Sequence, residues 1–149
     1  MSLVFRSLCQ RDVDAVYAFG IKEPAFCFES ESAGFWSKGQ LARWFRSKND
    51  VCLGAFLDGT LVGFVLVAIH QPTGKATWEN LFVAPEFRRS GMNVVRPLTD
   101  ELRRVLKEKG VSRLHFLTDA CTAKEHLRRY FRVLGYKGCG TFVWFSGTF

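Results

Sequence analysis

The sequence predicts an α+β fold in a single domain spanning residues 1–149, and three observations carry that reading. Strand-like and helix-like stretches follow one another in the order β-α-α-β-β-β-α-β-α-β. The three central strands are joined by short turns, so they pair antiparallel. A chain of 149 residues that is 48% hydrophobic also holds enough apolar material for one sizeable core.

Residues 3–8 alternate apolar and polar, as a half-buried strand does. Asp12, placed as an N-cap or first-turn acid, precedes Val13, Val16, Tyr17 and Phe19 at helical spacing, with Gly20 as a stop. Residues 21–36 keep no period; they carry Pro24, Gly34, the aromatics Phe26, Phe28, Phe35 and Trp36, and the acids Glu23, Glu29 and Glu31. Ser37 then caps a second helix, whose Leu41, Trp44 and Phe45 lie opposite Lys38, Arg43 and Arg46. Residues 51–57 and 60–69 form two arms about Asp58-Gly59, a hairpin pair, and Pro72-Thr73-Gly74 turns into a third arm over residues 75–83.

Pro85 ends that arm, and Arg88-Arg89-Ser90-Gly91 makes a basic loop ahead of a third helix. The buried stripe of this helix is Val94, Val95, Leu98, Leu102, Val105 and Leu106, and Lys109-Gly110 closes it. Pro97 would kink a helix begun at Gly91, so regular turns are expected only from about Val95. A short strand over residues 113–118 comes next. A fourth helix over 123–134, with Gly135 as its stop, and a last strand over 141–145 complete the order.

No run reaches the roughly 18 consecutive apolar residues of a membrane span, and the start lacks a basic segment followed by an apolar run and a cleavage site. Cys9, Cys27, Cys52, Cys121 and Cys139 are an odd number without a C-x-x-C pair. They read as free thiols of a reducing compartment, with neither a metal site nor a disulfide frame, and the expected location is cytoplasmic. The formal net charge is +7, and all of it lies late: residues 1–85 hold eight Lys plus Arg against eight Asp plus Glu, residues 86–149 thirteen against six. A basic half suits nucleic acid, a membrane surface or a polyanionic ligand. Arg103, Arg104, Lys107 and Lys109 are interspersed with Asp100, Glu101 and Glu108, as on a solvated helix, which weighs against nucleic acid.

A strand, a tight basic loop and a helix start together can aim unpaired N–H groups and a partial positive charge at a phosphate, and Gly91 lets the ligand approach. The segment Val83-Ala84-Pro85-Glu86-Phe87-Arg88-Arg89-Ser90-Gly91-Met92-Asn93 resembles the acyl-coenzyme A loop of the GNAT superfamily of N-acetyltransferases, Q/R-x-x-G-x-G/A after a strand ending V-x-P. Arg88 and Gly91 match, while Asn93 stands where Gly or Ala is usual. The run Tyr130-Phe131-Arg132-Val133-Leu134-Gly135-Tyr136 is similar to the second signature of that family, F-Y-x-x-L-G-F. The element order is also that of the GNAT fold: a central, mostly antiparallel mixed sheet with helices on both faces.

The resemblance, to a divergent member, implies acetyl-CoA as cosubstrate, no metal, and transfer of the acetyl group to a primary amine by direct attack. Backbone groups of Leu81, Phe82 and Val83 would pair with the pantetheine arm. The N–H groups from Arg88 through Arg89, Ser90, Gly91 and Met92 to Asn93 would hold the pyrophosphate. Glu79, on the central strand, is the candidate base, its proton affinity raised by flanking Trp78 and Leu81; His70 and His115 read as structural. The usual acid position holds Phe131, which cannot donate a proton, so adjacent Tyr130 is the candidate acid. In the family the segment between the first two helices covers the acceptor, so Phe28, Glu29, Glu31 and Trp36 are expected against a small-molecule or peptide amine, by charge and cation–π contact. The alternative, from Phe131 and Asn93, is an acyl-CoA-binding domain impaired in transfer. The aromatic stretch 142–149 offers a strand for homodimer pairing.

Overall fold

The computed structural model describes residues 2–26, 35–88, 93–116, 129, 131–133 and 135–138. The chain falls into two compact units, Met1–Phe116 and Leu117–Phe149.

The first unit is a five-stranded mixed sheet in the order β1-β2-β3-β4-β5, which are Leu3–Ser7, Val51–Leu57, Thr60–His70, Lys75–Val83 and Arg113–Phe116. The first four pair antiparallel, and β5 runs parallel to β4. Helices α1 (Val13–Gly20), α2 (Lys38–Trp44) and α3 (Val95–Glu108) complete the unit. The α+β, mainly antiparallel expectation holds, and the β2, β3 and β4 boundaries fall within a residue of those expected.

Local chemistry explains the elements. Asp58 and Gly59 both take positive φ, 47° and 84°, the conformation of a tight two-residue hairpin. The Asp58 carboxylate accepts the Ser2 N–H at 2.8 Å and so starts β1 beside this turn. Ser37 Oγ accepts the Gln40 N–H (3.3 Å) while Gln40 Oε1 accepts the Ser37 N–H (2.8 Å), a capping box that opens α2. Pro97 is the third residue of α3, where its missing N–H would have had no intrahelical partner. Asp12 stands at the N-cap of α1 without capping it. Its carboxylate is taken instead by both guanidinium nitrogens of Arg6 (2.7 and 2.8 Å) and by the Cys9 N–H (2.9 Å).

Strand alternation sorts the core. Leu8, Val13, Val16, Leu41, Cys52, Phe56, Phe64, Leu66 and Phe82 form one buried cluster with α1 and α2. The other sheet face, carrying Leu53, Val65, Val67 and Trp78, is buried on the side of α3, whose Leu98, Leu102 and Leu106 are inaccessible. Helices therefore cover both faces.

The described part of the second unit is a helix end. Gly135 has φ 84°, its N–H donates to Arg132 O at 2.9 Å, and the Tyr136 N–H donates to Phe131 O at 3.0 Å. These two bonds are the Schellman pattern, and its customary apolar contact is the edge-on packing of Phe131 and Tyr136, centroids 6.1 Å apart. Gly135 is the helix stop the sequence predicted; the rest of that helix, apart from residue 129, and the strand expected over 141–145 lie outside the described residues.

Candidate active site at the bulge of a central strand

Lys75 to Trp78 of β4 pair with β3 on one side and with Arg113 to Phe116 of β5 on the other. The described part of β5 ends at Phe116, opposite Trp78. At that point the β3 register slips: Val67 faces Trp78 and Leu66 faces Asn80, so Glu79 is the extra residue of a β-bulge. A bulge bends its strand and re-aims a side chain. The expected base thus stands at the bulge.

The backbone beyond the bulge can be assigned by alternation. The Ala84 N–H donates to Val62 O at 2.9 Å, so Phe82, two residues earlier, also turns its groups toward β3. Leu81 and Val83 turn theirs away from β3. Of the three residues expected to offer free backbone groups, Phe82 is therefore committed to the sheet, because successive residues of a strand point opposite ways.

Glu79 is exposed and has no ion-pair partner among the described residues. Partial desolvation of its carboxyl raises its pKa above the ordinary carboxylate value, and the charge of His70 pulls in the other direction. His70 Nε2 lies 3.0 Å from Thr77 Oγ1, and Thr77 is opposite His115 in the β4–β5 register. His70, expected to be structural, is therefore hydrogen-bonded and also acts electrostatically on the candidate base. Next to Glu79, Asn80 Oδ1 accepts the Trp36 indole N–H at 2.7 Å, and Trp36 meets Trp44 edge-on with centroids 5.2 Å apart. Trp36, expected at the acceptor, is thereby fixed one residue along from Glu79.

The other site residues divide. Arg88 Nε donates to Val83 O (2.5 Å) and Nη2 to Glu23 Oε2 (2.6 Å), so its guanidinium is already engaged. The Arg88 N–H donates to Pro85 O at 3.2 Å within the turn Pro85–Phe87, which withdraws one of the amides expected for a phosphate. Asn93 Oδ1 accepts the Arg96 N–H at 3.4 Å, as a residue entering a helix does. Arg89, Ser90, Gly91 and Met92 lie outside the described residues, as do Phe28, Glu29, Glu31 and Tyr130. Glu23, grouped with Glu29 and Glu31 as acids for a cationic amine, is paired with Arg88 instead.

Three contacts were not reached from sequence: the bulge, the Trp36–Asn80 bond and the Glu23–Arg88 pair. The bulge left a trace, since Glu79 and Asn80 are adjacent polar residues in an otherwise alternating strand. The other two join positions 44 and 65 residues apart and have no local signal.

Burial pushes the Cys52 thiol up to about 12, with Asp50 adding to the effect, which keeps it in the thiol form. On α3, Arg104 pairs with Glu101 (2.6 Å) and Glu108, and Arg96 with Asp100 (3.9 Å), which offsets much of the positive charge of that helix. Among the described residues no group of three or more His, Cys, Asp or Glu could hold a metal ion, and no helix is long and apolar enough to cross a membrane.

Residues 18–136 match the family model described as the acetyltransferase (GNAT) family. Comparison with curated protein sequences gives no match. Among solved structures, the chain is similar to the PaiA N-acetyltransferase of Thermoplasma acidophilum in complex with coenzyme A, with 23% identity over 89% of each chain and a TM-score of 0.72. It is similar to the ribosomal-protein-S18-alanine N-acetyltransferase of Escherichia coli at 22% identity, over 93% of this chain and 80% of that one, with a TM-score of 0.73. An aminoglycoside acetyltransferase from an uncultured soil metagenomic sample is 19% identical over 99% and 100% of the two chains, with a TM-score of 0.76. Identities this low show a shared fold.

Proposed function

The chain belongs to the acetyltransferase (GNAT) family and is an acyl-CoA-dependent N-acetyltransferase, and from that premise we propose that it moves an acetyl group from acetyl-CoA to a primary amine by direct attack. The observation that carries the reading is the bulge in β4. It puts a carboxylate of raised proton affinity where the register to β3 slips, and beyond it Leu81 and Val83 turn backbone groups away from β3.

Each chemical requirement has a candidate. The Leu81 amide and carbonyl are the first groups available to an extended amide-bearing arm. Arg88 and Asn93 bracket the loop whose N–H groups would take the pyrophosphate. Glu79, through water or directly, takes the proton of the ammonium so that a neutral amine attacks, and partial burial brings its basicity nearer to the task. Trp36, held by Asn80, supplies an aromatic wall beside it, suited to a cationic acceptor. Solved relatives of this fold include proteins named for aminoglycosides, among them one in complex with sisomicin, and proteins named for ribosomal-protein alanine. The shared chemistry is a primary amine on a polar or cationic carrier.

The leaving thiolate needs a proton. Phe131 cannot give it, so Tyr130 or water remains as donor, and a domain that binds acyl-CoA without turnover is the competing reading. Calorimetric titration with acetyl-CoA and with desulfo-coenzyme A, followed by an amine screen for thiol release, separates the two. Binding with turnover supports the transferase, binding without turnover for any amine class supports the impaired domain, and no binding of either ligand defeats both.

A further inference from the structure

We infer that Glu23 is a positioning residue for the cofactor loop: it holds Arg88 across the Val83 carbonyl and so fixes where the loop leaves β4. This rests on the proposed use of acetyl-CoA.

Arg88 is gripped from several directions. Nη2 meets Glu23 Oε2 at 2.6 Å, Nε meets Val83 O at 2.5 Å, and Cζ lies 5.4 Å from the centre of the Phe82 ring. That ring is itself stacked between Phe19 of α1, at 4.8 Å, and Phe64 of β3, at 5.5 Å. Glu23 is anchored in turn: its N–H donates to Gly20 O at 3.3 Å and its carbonyl accepts the Phe26 N–H at 3.0 Å. Its side chain is 19% exposed and that of Arg88 41%. A freely exposed ion pair contributes little, but here the planar fork of arginine points one nitrogen at a carbonyl and another at a carboxylate, a geometry that lysine cannot copy.

Two consequences follow for a bound acyl-CoA. Val83 O, which turns away from β3, already accepts from Arg88, so beyond Leu81 the Val83 N–H is the group left to an extended arm. The Arg88 charge is compensated by Glu23, so this guanidinium is engaged away from the phosphates. The pair also ties the segment after α1 to the start of the cofactor loop, 65 residues away in sequence.

The test is calorimetric titration of acetyl-CoA into the unaltered protein, Glu23→Gln, Arg88→Gln, the double variant and Glu23→Asp, at two salt concentrations, with melting curves alongside. Contacting residues couple strongly enough that each single variant should bind about tenfold more weakly. The double variant should be no weaker than either single one, and Glu23→Asp should recover part of the loss. Arg88→Gln should leave the salt dependence of binding as it is in the unaltered protein, whereas loss of a direct phosphate contact would flatten it. Melting temperatures close to that of the unaltered protein mark the loss as local. Unchanged or tighter binding in Glu23→Gln, additive losses in the double variant, or a flattened salt dependence in Arg88→Gln would overturn the inference. No binding to the unaltered protein would overturn the transferase reading and this inference with it.

Discussion

Two carboxylates of this molecule lie in opposite circumstances. Asp12, in the corner between β1 and α1, is buried and accepts hydrogen bonds from both guanidinium nitrogens of Arg6 and from the Cys9 N–H and Sγ–H. The Arg6 bonds are the largest reason its pKa is lowered to about 2. Arg6 is itself laid over the Phe56 ring, 3.7 Å from its centre. Glu79, in the middle of β4, has no ion-pair partner among the described residues, and burial drives its pKa the other way. A carboxylate whose charge is fully satisfied holds a fold together, while one that is partly desolvated and opposed only by the weaker pull of His70 is suited to taking a proton.

The sharpest way to break that contrast is Glu79→Gln. If Glu79 is the base, acetylation by the variant should fall roughly 10²- to 10⁴-fold, while its melting temperature stays within ~2 °C of the unaltered protein. A rate unchanged in a steady-state thiol-release assay would remove Glu79 from the mechanism.

Asp12→Asn should do the converse. The folded pKa of Asp12, about 2, lies below the ordinary value of ~3.9, so its ionisation stabilises the fold at neutral pH by about 2.5 kcal/mol. Because the folded value is the depressed one, that contribution is complete above the unfolded pKa and is lost as pH falls toward 2. Urea unfolding should therefore show the full deficit of the variant at pH 7 and a shrinking one below pH 4. The rate per folded molecule should not change.

The difference between these two acids was only half legible in the sequence. Glu79 could be singled out because an acid between Trp78 and the Leu81-Phe82-Val83 run stands out on an apolar strand. Asp12 was read as a helix cap, since the preference of Asp for such positions is local, whereas its partner Arg6 lies on a strand and the pairing depends on how that strand meets the helix. Turns and caps were read well for the same reason: Asp58-Gly59, Gly135 and the Ser37 cap act through neighbours in sequence. Pro97 correctly moved the start of α3 to Val95 because proline acts on its own turn. The Glu23–Arg88 pair depends on tertiary geometry, so the sequence offered two charges and no reason to join them.

A smaller effect is expected at Trp36→Phe. The ring is kept while the 2.7 Å bond to Asn80 is lost, leaving Asn80 without this donor beside the bulge. The stability loss should be about 1 kcal/mol, read from chemical unfolding. If Trp36 walls the acceptor site, the Michaelis constant for the amine should rise more than that for acetyl-CoA. Equal rises would place Trp36 in the scaffold.

The finest adjustment concerns His70. Its charge lowers the Glu79 pKa against the stronger effect of burial, and it approaches β4 through Thr77 Oγ1. Removing it in His70→Ala should let burial act unopposed, so the Glu79 pKa rises further. The ionised base is then lost at a higher pH, and the acid limb of the rate profile should move upward in pH while the plateau rate stays close to that of the unaltered protein. A limb moved downward would mean that His70 opposes ionisation, as a ring nitrogen accepting the O–H of the protonated acid would. A limb that disappears in Glu79→Gln but stays in place in His70→Ala would leave Glu79 as base and return His70 to the structural role that the sequence first suggested.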